Sequence, residues 1–144
     1  MSGQPPAIRS APKLTHAGAL AMIGAAVAHA EAIGAPVIVV IVDESGVDLA
    51  MARMDGAKFL SIETARSKAQ TSASHRRPTP KIPADIATGL AFASHGRITQ
   101  MAGGLPIMIE GQCVGGIGIG SASDEDDIAI ATAALAAIGA ETAF

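Results

Sequence analysis

The chain has 144 residues and a mass of 14.3 kDa, enough for one domain with its own core. Hydrophobic residues make up 49% and charged residues only 16%, against roughly 25% charged in ordinary soluble domains, which excludes intrinsic disorder and predicts a homo-oligomer that covers part of its surface. A net charge of -3, three Phe and no Tyr or Trp leave neither a basic footprint nor a stacking platform, so nucleic acid is not an expected partner.

Residues 1–13 read as a flexible N-terminal arm: Pro5, Pro6 and Pro12 keep out of regular ladders, and there is no apolar signal core. Residues 14–144 read as a single domain. The uncharged run Leu14–Ala30, about 17 residues, falls short of the ~20 needed to span a bilayer. With one cysteine, Cys113, no internal disulfide forms, and the expected compartment is the cytoplasm.

A helix is predicted over 14–33, with Leu20, Ile23, Val27 and Ala30 on one stripe and the small residues Ala17, Ala21, Gly24 and Ala28 on another. The β-branched run Val37–Val42 is a buried strand. Asp43-Glu44-Ser45-Gly46 turns it back into a second strand, Val47–Met54, with Met51 and Arg53 on one face. A helix over 57–74 carries Phe59, Ile62, Ala65, Ala69 and Ala73, and Arg77-Pro78-Thr79-Pro80 interrupts the chain after it. A shorter helix is predicted over 84–93, then a loop to Gly103-Gly104. Leu105–Ile109 and Cys113–Ile119 form a second hairpin, and a last helix over 124–139 opens on four acids that suit its N-terminal dipole. The order predicts an α/β (α+β) fold: a mainly antiparallel sheet of two hairpins with helices packed on it.

The run Gly115-Gly116-Ile117-Gly118-Ile119-Gly120 fits neither a dinucleotide fingerprint nor a Walker loop. Its period of two instead strips one strand face of side chains, so that either a helix or a flat ligand can lie on the backbone. Gly103-Gly104 offers amides for a carboxylate, or simply turns the chain into the hairpin. Lys68, set among alanines in mid-helix, either snorkels to water or meets a buried anion. Arg53 either pairs with a carboxylate such as Asp55 or anchors a ligand. His75, with Arg76 and Arg77, makes a cationic corner that suits a carboxylate or propionate, and His75 is the candidate metal ligand. His16 and His29 lack the spacing of a helical metal pair, and His95 reads as a loop residue.

Val42-Asp43-Glu44-Ser45-Gly46, Arg53-Met54-Asp55-Gly56-Ala57, Ala65 with Lys68-Ala69, Arg77-Pro78-Thr79, Gly103-Gly104-Leu105-Pro106, Gly115-Gly116-Ile117-Gly118 and Asp127 with Ala131 occur in an order that resembles the GlcG/HbpS haem-binding family, also found as the C-terminal domain of PduO. The resemblance covers about residues 14–140. It implies a profilin-like fold, self-assembly and binding of haem or a corrinoid. It also implies a link between Thr79 and haem iron, and makes Lys68 the family's lysine. His75 stands where members usually carry an aromatic or small residue.

Two functional readings follow. One is an oligomeric small-ligand-binding protein that takes haem and assists its breakdown, with Arg53, Arg77, Thr79, Gly103 and Gly104 at the ligand. The other is a cofactor-free catabolic enzyme, an isomerase, hydratase or hydrolase acting on a small organic acid. There Lys68 and His75 move the proton, and Arg53 and Arg77 anchor the carboxylate.

Overall fold

The computed structural model describes residues 3–144; Met1 and Ser2, the first two residues of the arm, lie outside the described residues. Residues 3–13 are exposed and form neither helix nor strand. Eight elements follow: α1 (His16–Ala32), β1 (Ile38–Asp43), β2 (Asp48–Arg53), α2 (Ser61–His75), α3 (Ala84–Ala93), β3 (Gly104–Ile109), β4 (Gln112–Gly120) and α4 (Asp124–Ala137). The four strands make one sheet in the order β2-β1-β4-β3, and every pair is antiparallel. The two expected hairpins are thus joined side by side through β1 and β4, giving the α+β architecture. Among the described residues, no helix is long and apolar enough to cross a membrane.

Local chemistry explains the element ends. Thr15 caps α1 by accepting from the Gly18 amide, and Ser123 caps α4 by accepting from Asp126. The Asp43 carboxylate accepts from the amides of Ser45 (2.8 Å) and Val47 (3.0 Å), which closes the first hairpin. The helix expected from residue 57 begins only at Ser61, because 57–60 are used in turns.

The sheet separates two cores. Val37, Val39, Ile41, Ile117 and Ile119 face α1 and α4, while Ile38, Val40 and Val42 face Ala65, Ala69 and Ala73 of α2. On the α2 side, Gly116, Gly118 and Gly120 pair with Val42, Val40 and Ile38. A Cβ at Gly116 would run into the Ala69 carbonyl, and one at Gly118 into the Ala65 carbonyl. The side-chain-free face therefore seats a helix backbone, and no flat ligand lies there.

Two apolar stripes differ from expectation, that of the first helix and the stripe Ile128, Ala131, Leu135 and Ile138 that helical spacing predicts for the last. In α1 the buried residues are Ala19, Met22, Ala26 and Ala30, while Leu20 is exposed. In α4 they include Ile130, Ala131, Ala134 and Leu135, and Ile128 faces outward. Both helices are apolar nearly all round, so packing rather than periodicity selects the inward face.

Gly118→Ala is expected to lower the unfolding free energy in urea by about 3 kcal/mol, since a backbone carbonyl has no room to retreat. Gly24→Ala, in open space on α1, should raise it by about 0.5–1 kcal/mol.

Candidate functional site

The low seat of α2 carries Lys68 to the end of β4. Its Nζ donates to the Ile119 carbonyl (2.7 Å) and to Asp127 Oδ2 (3.0 Å) in the first turn of α4. Both residues are buried, Lys68 at 5% exposure and Asp127 at 1%. Asp127 Oδ1 also accepts from the Ala122 amide (3.3 Å). Burial pushes the Asp127 carboxyl above the ordinary carboxylate range, and the Lys68 charge, its hydrogen bond and the Ala122 amide pull it partly back. Lys68 is therefore neither snorkelled nor free: it ties the helix on one side of the sheet to a helix on the other.

Gly103 and Gly104 sit against this pair. A Cβ on Gly103, whose φ is +110°, would come within 2.9 Å of Asp127 Cβ and 3.1 Å of Lys68 Nζ. A Cβ on Gly104 would strike the Lys68 carbonyl. Their backbone is also engaged, with the Gly103 carbonyl accepting from Ile119 and the Gly104 carbonyl from Thr79 (both 3.0 Å). The second of these bonds draws the Arg77-Pro78-Thr79 segment onto the start of β3.

Thr79, Gly103 and Gly104 thereby share a cavity of about 280 Å³, with Pro78, Leu105, Ile128 and Phe144 among its walls. It is predominantly apolar, and Ile128 and Phe144 on its rim are themselves exposed. Arg53, Lys68, His75 and Arg77 do not line it. His75 ends α2 about 10 Å along the axis from Lys68. Its Nδ1 lies 3.0 Å from the Thr71 carbonyl, and a proton donated there leaves Nε2 as the free lone pair. Arg77 is exposed beyond the helix end. Arg53 is exposed at the β2 edge opposite Ile38, and among the described residues it forms no ion pair with Asp55. The residues expected at one site are thus distributed: Thr79 and the two glycines meet, Lys68 stands behind them, and the other three lie apart.

Two features go beyond the sequence reading. Asp127, one of the positions that carry the family resemblance, has no role assigned from the sequence; its spacing to Ile130 and Ala131 places it on the inward side of α4. His95 adopts φ +57° and borders a second apolar cleft of about 660 Å³ between α3 and residues 98–101, where Phe92 and Met101 also contribute. Among the described residues, no group of three or more His, Cys, Asp or Glu is placed to hold a metal ion.

A four-stranded antiparallel sheet with helices on both faces, and a glycine pair that admits a buried Lys–Asp tie beside an apolar cavity, define an α+β domain with one candidate ligand hollow. Residues 14–136 match the family described as haem degrading protein HbpS-like, and the chain belongs to that family. It is 36% identical to the corrinoid adenosyltransferase PduO of Citrobacter freundii over 82% of this chain and 37% of that protein. The chain thus spans little more than a third of PduO's length. The Klebsiella pneumoniae protein ORFY superposes with a TM-score of 0.85 at 26% identity, covering 95% of this chain and 98% of that one. The PduOC:heme complex superposes at 0.82 with 30% identity, covering 92% and 100%.

Removing the carboxylate from the buried pair by Asp127→Ala is expected to cost about 3–5 kcal/mol in urea unfolding, because an ammonium is left without its counter-charge. The double replacement Lys68→Met with Asp127→Leu should recover most of that loss, giving a large coupling energy in a double-mutant cycle.

Proposed function

We propose that this protein is a small-ligand-binding oligomer that takes haem or a related flat tetrapyrrole at the Thr79–Gly103–Gly104 cavity. The observation that carries the reading is the convergence of these three residues on one apolar hollow, while the PduOC:heme complex offers a relative of the same fold with that ligand. At about 280 Å³ the hollow lies just below the ~300–1,000 Å³ usual for small-molecule pockets, so one subunit receives only part of the ring. The exposed Ile128 and Phe144 on its rim are the surface against which a second copy closes the remainder. The Thr79 hydroxyl is the polar group toward the iron. Arg77, next to the lining Pro78, is the cation for a propionate. The family description makes assistance in haem breakdown the activity proposed for the bound state. Nothing in the geometry favours the organic-acid enzyme: Lys68 is held in a closed pair, and His75 stands two helical turns, about 10 Å, away from it.

Titration with hemin is expected to give a saturable Soret shift, with affinity lowered about tenfold in Thr79→Ala and little changed in His75→Ala. A spectrum that stays that of free hemin throughout the wild-type titration overturns the reading.

A further inference from the structure

On the other side of α2 the chain gathers its scarce positive charge. A cavity of about 460 Å³ is bordered by Arg76 and Arg97, and one of about 670 Å³ by Arg9, Lys13 and Arg76. The two adjoin, since Arg76 and Glu44 line both. Four of the ten Lys and Arg residues therefore border these two neighbouring cavities in a protein whose net charge is -3.

Among the described residues, Glu44 is the one carboxylate that lines either cavity. One of its oxygens takes Lys13, and the other is buried with no hydrogen-bond partner among the described residues. Among the described residues, Arg9, Arg76 and Arg97 form no ion pair. Arg97 Nε donates to the Ser94 carbonyl (3.0 Å), leaving its terminal nitrogens available. Arg76 is held in place by a left-handed backbone (φ 58°) as its amide closes α2 on the Ser72 carbonyl (2.8 Å). A non-glycine residue in that conformation is strained, and such strain concentrates at ligand sites.

We propose that these adjoining cavities bind a small organic polyanion carrying two or three carboxylate or phosphate groups. Three guanidinium groups without counter-charges match two or three anionic groups, each of which one guanidinium meets through two parallel hydrogen bonds. Arg76, which borders both cavities, is the guanidinium common to a ligand seated in either, with Arg97 on one side and Arg9 on the other. The arm contributes Arg9 and Lys13, and the pairing of Lys13 with Glu44 makes that arm one wall of the site. This site is separate from the Thr79 cavity and does not depend on haem binding.

Calorimetric titration of the full chain with citrate and with inorganic pyrophosphate, each against chloride at equal ionic strength, tests the proposal. At least one anion is expected to bind saturably, and the tighter of the two names the carboxylate or the phosphate class. Arg76→Gly keeps the left-handed turn while removing the guanidinium, and should weaken binding about tenfold or more. Arg97→Gln, made independently on the far wall, should weaken it several-fold. Failure of both anions to bind above the chloride control, or unchanged affinity in both variants, overturns the proposal.

Discussion

The close approach of α2 to β4 governs the rest of the molecule. Glycines at 116 and 118 let the backbones of Ala65 and Ala69 rest almost directly on the sheet. Only at that depth does the Lys68 side chain reach the Ile119 carbonyl and Asp127. The same depth brings Lys68 and Ser72 against Gly104, which in turn fixes Thr79 through its amide. The candidate cavity is therefore a product of helix height. A side chain added beneath α2 would displace the ion pair, the glycine corner and the hollow together.

The buried pair also illustrates how structural and chemical uses of a lysine compete. Two charges removed from water gain little net stability over an apolar pair of the same size, but either alone is strongly destabilising. Lys68 and Asp127 thus act as a matched requirement joining two layers that the sheet otherwise keeps apart. An ammonium so held is poorly placed to exchange protons with a ligand. Family membership and the position of Thr79, rather than the presence of a lysine in mid-helix, are what direct attention to ligand binding.

Much of the fold was legible in the residues. Val37–Val42 is a β-branched run between a Gly-Ala-Pro break and an Asp-Glu-Ser-Gly turn, and no helix accommodates it as well. The alternation of glycines at 116, 118 and 120 announced a bare strand face, although only coordinates could choose a helix over a ligand as its occupant. The inward faces of α1 and α4 were not legible, because alanine-rich helices present apolar surface in every direction and a rotation of one residue changes little locally. The site was partly legible for a related reason. Thr79 and the two glycines lie close to one another through a single ladder bond to β3, whereas the Lys68–Asp127 contact spans 59 positions and has no local signature. The cationic corner read at His75–Arg77 shifts in the folded chain: the left-handed turn at Arg76 divides it, sending Arg76 toward Glu44 and Arg97 and leaving Arg77 outside.

α3 contributes no buried residue, and Phe92 at its end is 84% exposed. A helix so weakly attached opens at a much lower free energy than the sheet that carries it, exchanging its amides with solvent as an independent unit. The cleft that it borders beside His95 is thus walled on one side by a helix that belongs to neither core.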